Sequence, residues 1–309
     1  MFRLVENRRW YFLLSALIII PGLVAMIYST ITTGLPFKLA IDFTGGSIWE
    51  LRFDRPVQPG ELRAVLEEAG QSDPAVTTLG DVQTLQVRMK PIDEVEKAQL
   101  MTAIKEHFGE NVQEVQFAAV GPAIGREVTQ AAGLAVLAAS VAILFFMVLA
   151  FRKVQNPFRY GTAAILAMFH DLLVTTGIFS ILSLLLGWEA DALFLTALLT
   201  VISFSMQDKI VVFDRIRENA PKYRGEPFSV IANRSVLETL HRSLATQLNA
   251  IFVMVAILLF GGGTIKQFIA VMLWGLVSGT YSSIFNAVPI LVAWEERDLF
   301  GLRRRPAQA

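Results

Sequence analysis

Six long apolar runs alternate with polar stretches along the chain. A transmembrane helix needs about 20 apolar residues to cross a hydrocarbon core of about 30 Å. Every run approaches or exceeds this length except the fifth, which is short unless it begins among the polar residues before Leu244. The pattern predicts transmembrane helices at 10–31, 131–151, 161–186, 192–213, 244–260 and 268–294. Pro21 predicts a kink or local rearrangement in the first of them.

The polar segment between the first two runs has a different periodicity. Alternating patterns predict strands at 47–53, 75–79, 84–89 and 112–117, and amphipathic patterns predict helices at 59–70 and 92–108. The order β-α-β-β-α-β is typical of a small ferredoxin-like domain. We therefore expect an α-helical polytopic membrane protein with six transmembrane helices and one extracytoplasmic α+β ferredoxin-like domain. The domain has no nucleotide-binding loop, which favours a role in contacting other molecules rather than in catalysis.

Basic residues predict the orientation, because cytoplasmic loops are rich in lysine and arginine. With six spans, one side receives all the basic clusters: Arg3, Arg8, Arg9, Arg152, Lys153, Arg159, Arg215, Arg217, Lys222, Arg224, Arg234, Arg297, Arg303, Arg304 and Arg305. Both termini are therefore predicted to be cytoplasmic. The first run is longer than a signal-peptide core and has no small-residue cleavage pattern after it, which predicts a retained helix.

The same patterns divide the chain into four parts. Residues 1–37 hold the N-terminus and the first helix, 38–120 form the extracytoplasmic domain, 121–294 hold helices two to six, and 295–309 form a basic cytoplasmic tail. Charged residues make up 17% of the chain, against about a quarter in soluble domains, which agrees with a bilayer environment.

Composition also bears on the chemistry. Lys plus Arg and Asp plus Glu both number 27, so the net charge gives no indication of nucleic-acid binding. The chain has no cysteine, which excludes disulfides, thiol catalysis and thiolate metal sites. The histidines, at 107, 170 and 241, are too far apart for metal-ligand spacing. We expect no metal, no cofactor and no catalytic residue.

Several motifs stand at helix boundaries, in order along almost the whole chain. They are IDFTGG at 41–46, VGPAIGRE at 120–127, FHD at 169–171, VVFDRIREN at 211–219 and GTYSSIF at 279–285. Together they resemble the SecF family of the bacterial SecDF export machinery. The residues that carry this resemblance or have a packing role are Asp42, Phe43, Gly45, Gly46, Gly121, Pro122, Asp214, Arg215, Gly275 and Gly279. The last two form a G-x-x-x-G spacing that permits close helix packing.

The resemblance implies a function and a set of partners. It implies half of the twelve-helix resistance-nodulation-division plan, acting with a separate SecD chain in the bacterial cytoplasmic (inner) membrane. It further implies use of the proton motive force to move unfolded preproteins through the SecYEG channel, without enzymatic activity. Membrane subunits of the YajC or YidC type are further candidate partners, and the lipid bilayer is the environment. No nucleic-acid partner is expected.

Asp208 and Arg242 are the first candidates for proton coupling, a role that the resemblance implies for both. A charge at the bilayer centre costs about 2.5–3.5 kcal/mol on insertion scales, so such residues are usually functional. The alternatives for Asp208 are a structural ion pair with Lys209 or an arginine, or a place at the aqueous interface. The alternative for Arg242 is a side chain that extends to the inner interface. Thr239, Arg242, Thr246 and Asn249 are predicted to share one helical face.

His170, Asp171 and Lys209 complete the candidate set. His170 and Asp171 lie deep in the third helix and form either a proton relay or a hydrogen bond between helices. Lys209 is expected to neutralise Asp208 or to extend toward water, and thus to modulate the site. The family usually has Asn and Thr where this chain has Gln207 and Lys209, a departure that bears on the proton chemistry.

Two other functions remain as alternatives. A half-size proton-driven exporter of a small molecule or lipid would share the superfamily plan, although the outer segment of about 80 residues is small for a drug exporter. An intramembrane serine or aspartyl protease is the other alternative. However, Ser282 and Ser283 have no histidine placed to activate them, and the residues that flank the possible carboxylate pair Asp171 and Asp208 do not match such a protease.

Overall fold

A computed structural model describes residues 4–152, 154 and 156–297, without the side chains of Gly263 and Thr264. Arg3, Lys153 and the tail beyond Arg297, which entered the orientation argument, lie outside the described residues. The described part contains six helices long and apolar enough to cross a membrane. The prediction of six transmembrane helices is therefore confirmed. Contacts divide the chain into two compact units, Met1–Lys38 with Leu134–Ala309, and Leu39–Gly133.

The unit formed by Leu39–Gly133 contains a four-stranded antiparallel sheet. After a short helix α2 (Ile41–Thr44), the elements are β1 (Gly46–Arg52), α3 (Pro59–Glu68), β2 (Ala75–Thr78), β3 (Thr84–Met89), α4 (Glu94–Phe108) and β4 (Gln113–Val120). The strand order is β2-β3-β1-β4, as in a ferredoxin-like sheet, which confirms the predicted fold.

Alternation along the strands places the core of this domain. Trp49 and Leu51 of β1 are fully buried, as are Leu85 and Val87 of β3. They pack with apolar residues of the two helices, among them Leu62, Leu66, Leu100 and Ile104. Helix α4 begins with a capping box, in which the Asp93 carboxylate accepts hydrogen bonds from Val95 N at 2.9 Å and Glu96 N at 2.8 Å.

The long helices extend further than their apolar runs. Helix α1 is Arg8–Thr33 and continues through Pro21, α5 is Pro122–Ala150, α6 is Pro157–Leu186, α7 is Ala192–Lys222 and α8 is Phe228–Phe260. The polar residues before Leu244 therefore belong to α8. The last span consists of α9 (Gly263–Ser282), a π-helical turn (Ser283–Ala287) and α10 (Val288–Glu296).

A proline accounts for the π-helical turn. Pro289 has no N–H to donate to the Phe285 carbonyl, and its ring crowds that carbonyl in an ideal α-helix. The wider turn at Ser283–Ala287 directly precedes it and relieves this crowding. Turns of this kind often occur beside functional residues.

Small residues bring pairs of helices together in the helical unit. A Cβ atom on Gly22 of α1 would lie 2.6 Å from Gly177 Cα of α6. A Cβ atom on Gly279 would lie 3.1 Å from Ser205 Cα of α7, and one on Gly275 would overlap the Val201 side chain. The G-x-x-x-G spacing therefore lies where α9 crosses α7, and any larger side chain would push these helices apart.

Candidate functional site

The most buried carboxylate among the described residues of the helical unit is Asp171 on α6, whose side chain is 1% exposed. Its carboxylate lies within hydrogen-bond distance of five donors: His170 Nδ1 at 3.0 Å, Ser278 Oγ at 2.8 Å, Lys209 Nζ at 2.8 Å, Ser205 Oγ at 2.6 Å and Ser282 Oγ at 2.6 Å. These groups come from α6, α7 and α9. Asp171 therefore joins three helices through one carboxylate.

Lys209 on α7 supplies the positive charge of this cluster. Its side chain is 0% exposed, and its ammonium donates to Asp171 Oδ2, to the Ser205 carbonyl oxygen at 3.3 Å and to Ser205 Oγ. The expectation that Lys209 neutralises Asp208 or extends toward water is wrong. Adjacent residues on a helix point about 100° apart, so Lys209 faces α6 when Asp208 faces α8.

Asp208 is buried, with 4% of its surface exposed, but has a different environment. Its Oδ2 accepts one hydrogen bond, from Gln247 Nε2 of α8 at 2.7 Å. This is its only hydrogen bond within the described residues, and no arginine pairs with it there. The neighbouring Gln207 is exposed.

Arg242 does not contact Asp208. Its side chain is exposed and forms no ion pair within the part of the chain that the structure describes. Thr239, Arg242, Thr246 and Asn249 all lie on the continuous helix α8, where Arg242, Thr246 and Asn249 are exposed and Thr239 is buried. The buried polar stripe runs instead through Thr239, Ser243 and Gln247, at a spacing of four residues.

A cavity of about 410 Å³ lies between the ends of α7 and α8. Its walls are Ile210, Val211, Asp214, Arg215, Glu218, Glu238, Thr239 and Arg242. Most charges here are paired: Arg215 Nε lies 2.5 Å from Glu238 Oε2, and Asp214 Oδ1 lies 2.5 Å from Arg217 Nη2. Asp214 and Arg215 of the VVFDRIREN motif, about two helical turns beyond Asp208, thus line a charged cavity.

His170 connects the Asp171 cluster with α1. Its Nδ1 contacts Asp171, its ring centroid lies 6.1 Å from that of Tyr281, and its Nε2 is buried with no hydrogen-bond partner in the described residues. Tyr281 Oη donates to the Tyr11 carbonyl oxygen of α1 at 2.9 Å. A hydrogen bond, a ring contact and a second hydrogen bond therefore connect the buried carboxylate to the first helix.

The two glycine-containing motifs meet in the Leu39–Gly133 unit. Gly45 and Gly46 have φ angles of 73° and 131°, which favour glycine. A Cβ atom on Gly45 would lie 3.0 Å from Pro122 Cα, and one on Gly125 would lie 2.8 Å from the Phe43 carbonyl oxygen. The Asp42–Gly46 and Gly121–Gly125 segments therefore pack backbone against backbone. Their glycines are needed for this packing and for the turn.

The sequence predicted the buried charged residues but not the side chains that hydrogen-bond to them. Gln247 and the serines at 205, 278 and 282 complete the two carboxylate environments, and none was a predicted site residue. The available signal was spacing: Ser205 with Lys209, and Ser278 with Ser282, are each four residues apart on one helix. Within the described residues, no three His, Cys, Asp or Glu side chains form a metal-binding group.

Comparisons with known proteins agree over nearly the whole chain. Residues 100–297 match the family described as protein export membrane protein SecD/SecF, C-terminal, and residues 30–57 match the SecD/SecF GG motif. The chain is 46% identical to the protein translocase subunit SecF of Thermobaculum terrenum, with 98% of each chain covered. It is 45% identical to that of Anaerolinea thermophila, with 100% of each covered.

Solved structures show the same architecture. The crystal structure of SecDF, a translocon-associated membrane protein from Thermus thermophilus, superposes with a TM-score of 0.77 at 32% identity. The super-membrane-facing form of SecDF superposes with a TM-score of 0.65 at 31% identity. Each match covers 96% of this chain and 39% of the SecDF chain, so the present chain spans well under half of that protein.

Proposed function

Since this chain belongs to the SecF family of protein translocase subunits, we propose that it acts with a SecD partner to promote preprotein translocation, driven by the proton motive force. The chain is 46% and 45% identical, over 98% and 100% of its length, to two proteins named SecF, and this similarity supports the translocation role. The match to 39% of a SecDF chain supports a SecD partner. Proteins named for small-molecule export are not among these relatives, and the half-size exporter is not favoured.

The location and remaining partners are part of the same proposal. The chain lies in the bacterial inner membrane with both termini in the cytoplasm and the ferredoxin-like domain outside, as the basic loops favour. It works beside a SecYEG channel, where YajC-type or YidC-type subunits are further partners. The protease alternative has less support, because His170 contacts a carboxylate and no serine within the described residues.

The mechanism rests on one observation: the two buried carboxylates differ in the number and charge of their hydrogen-bond donors. Asp171 has five donors, including the Lys209 ammonium, whereas Asp208 has one neutral donor. A proton can bind Asp208 by displacing a single amide hydrogen bond. Protonation of Asp171 would break an ion pair and disturb hydrogen bonds from three helices. Asp208 is therefore the proton-binding carboxylate, and the Asp171–Lys209 pair holds the helices in register.

Arg242 and the outer domain complete the cycle. Arg242 lines the cavity beside the Asp208 site, where a shift of α8 would bring its cation toward the deprotonated carboxylate. One elementary charge that crosses 100 mV releases about 2.3 kcal/mol, enough for a modest helix movement. Such a movement would pass through α1 to the domain that follows it in sequence, where the preprotein is engaged.

The test replaces Asp208 in cells that depend on this chain for export. We expect Asp208→Asn to remove the part of export that a protonophore abolishes, whereas Asp208→Glu retains much of it. Gln207→Ala, on the exposed neighbouring residue, is the matched control and exports normally. Protonophore-sensitive export by Asp208→Asn at the normal rate would contradict the proposal.

A further inference from the structure

A buried polar stripe on α8 leads from the Asp208 site toward the cavity. Thr239, Ser243 and Gln247 are 8%, 3% and 4% exposed. A spacing of four residues places them on one helix face, about 6 Å apart along the axis. Gln247 holds Asp208 at one end of the stripe, and Thr239 lines the cavity at the other.

Ser243, between these two ends, has an unused hydroxyl. Its Oγ is buried and has no hydrogen-bond partner within the described residues. Thr239, by contrast, lies within hydrogen-bond distance of the carbonyl oxygens of Ser235 at 3.0 Å and Val236 at 3.1 Å. A buried hydroxyl without a protein partner is a typical position for an internal water molecule. Ser243 is therefore the polar group that a water between the cavity and Gln247 would bind.

The cavity approaches the same point from α7. Val211, one helical turn after Asp208, lines the cavity, just as Thr239 does one turn before Ser243. The cavity thus ends about one helical turn from both Asp208 and Ser243. Gln247 is the polar side chain that holds the carboxylate at the Asp208 end of the stripe.

On the basis of the proton site proposed at Asp208, we propose that Gln247 seals that carboxylate from the cavity and that Ser243 holds the water through which the proton leaves. A glutamine suits both states of the site because its amide donates through Nε2 and accepts through Oε1. Nε2 donates to the ionised Asp208, and Oε1 accepts from the protonated carboxyl group after the amide turns.

The proton transfer is balanced by groups at the site. When Gln247 moves aside, the Asp208 O–H donates its proton to the water at Ser243. That water passes a proton to water in the cavity, and the Asp208 carboxylate regains the Nε2 hydrogen bond. Among the charged groups around the route, Lys209 pairs with Asp171, Arg215 with Glu238, and Asp214 with Arg217. Arg242 in the cavity wall forms no ion pair within the described residues.

The absence of cysteine from the sequence allows a direct test of the seal. Asp208→Cys introduces a single thiol behind Gln247, and its reaction with a membrane-impermeant maleimide is followed in native membranes opened to the cytoplasmic side. We expect slow labelling with Gln247 present and at least tenfold faster labelling when Gln247→Ala is added. Equal rates in the two backgrounds would overturn the proposed seal.

Two further single cysteines serve as controls. Thr239→Cys, in the cavity wall, is labelled rapidly with or without Gln247→Ala. Leu248→Cys, on the exposed apolar face of α8, stays unlabelled in both. Labelling of Leu248→Cys in the Gln247→Ala background would reveal a misfolded chain. In that case Gln247→Asn, which keeps the amide on a shorter side chain, is used in place of Gln247→Ala. We expect Gln247→Asn to give an intermediate rate, and the same rate as wild type would overturn the seal.

Proton flux provides the second measurement. Ser243→Ala removes the water-binding hydroxyl, so we expect severalfold slower flux, with partial recovery in Ser243→Thr. Unchanged flux in Ser243→Ala would refute the water site. The labelling result does not depend on the role of Asp208, so a failed Asp208→Asn test and a failed seal are distinguishable.

Discussion

Lys209 Nζ lies 2.8 Å from Asp171 Oδ2, and the two side chains are 0% and 1% exposed. The pair joins α7 to α6, and Ser278 and Ser282 extend the contact to α9. Burial of two charges is tolerated only when they are paired and further hydrogen-bonded, which the surrounding serines achieve. The buried lysine therefore has a matching environment.

Removal of the lysine charge alone should destabilise the helical unit strongly. We expect Lys209→Met to lower stability by about 3–5 kcal/mol, because it leaves the Asp171 carboxylate buried without a cation. Thermal unfolding in detergent measures the effect. The double variant Asp171→Asn with Lys209→Met should be more stable than Lys209→Met alone. Purely additive losses from the two substitutions would show that the pair is not energetically coupled.

Position 22, where α1 crosses α6, should tolerate no residue larger than glycine. We expect Gly22→Ala to cost about 1–3 kcal/mol, because the new Cβ atom would lie 2.6 Å from Gly177 Cα and force the helices apart. Gly133→Ala is the matched control, since a Cβ atom there meets nothing within 4 Å. The control should be neutral or slightly stabilising in the same unfolding measurement. A Gly22→Ala protein as stable as the control would argue against this close approach.

The first turn of α4 should depend on its cap. Asp93→Ala removes the acceptor for Val95 N and Glu96 N, with an expected loss of about 1 kcal/mol. Asp93→Asn retains most of the stability, since asparagine caps helices nearly as well as aspartate. Hydrogen exchange of the α4 amides in the full chain reports the difference, with faster exchange expected for the alanine variant only.

Asp81, in the turn between β2 and β3, should titrate below its ordinary range. The hydrogen bond from the Thr84 side chain and the backbone N–H of Gln83 favour the ionised form and lower its pKa. The lowered pKa stabilises the folded domain above the ordinary pKa of aspartate, and this contribution is lost as the pH falls through the lowered value.

A carbon-detected NMR titration of the Asp81 carboxyl checks this prediction. In Thr84→Val the hydroxyl is absent, so the pKa should move up toward the ordinary value. Equal Asp81 titration in the wild type and Thr84→Val would exclude the hydroxyl as the cause.

The sequence by itself determined the elements of this protein. Apolar runs of membrane-spanning length and alternating patterns are local properties, so they indicated the spans and the ferredoxin-like domain without knowledge of any contact. Where a bound was wrong, as at the start of α8, polar residues continued the helix beyond its apolar run. Asp171, His170, Asp208 and Lys209 were found as candidates for the same local reason, because charges in apolar runs are conspicuous.

Only the tertiary structure decided which groups meet. Asp171 and Lys209 are 38 residues apart, and Asp208 and Gln247 are 39 apart, on different helices. The rotation of each helix about its axis decides its partners, and this rotation depends on close packing at positions such as Gly22, Gly275 and Gly279. Because that packing is set by all the helices together, the sequence offered Lys209 only its neighbour Asp208 or a path toward water, whereas the folded chain pairs it with Asp171.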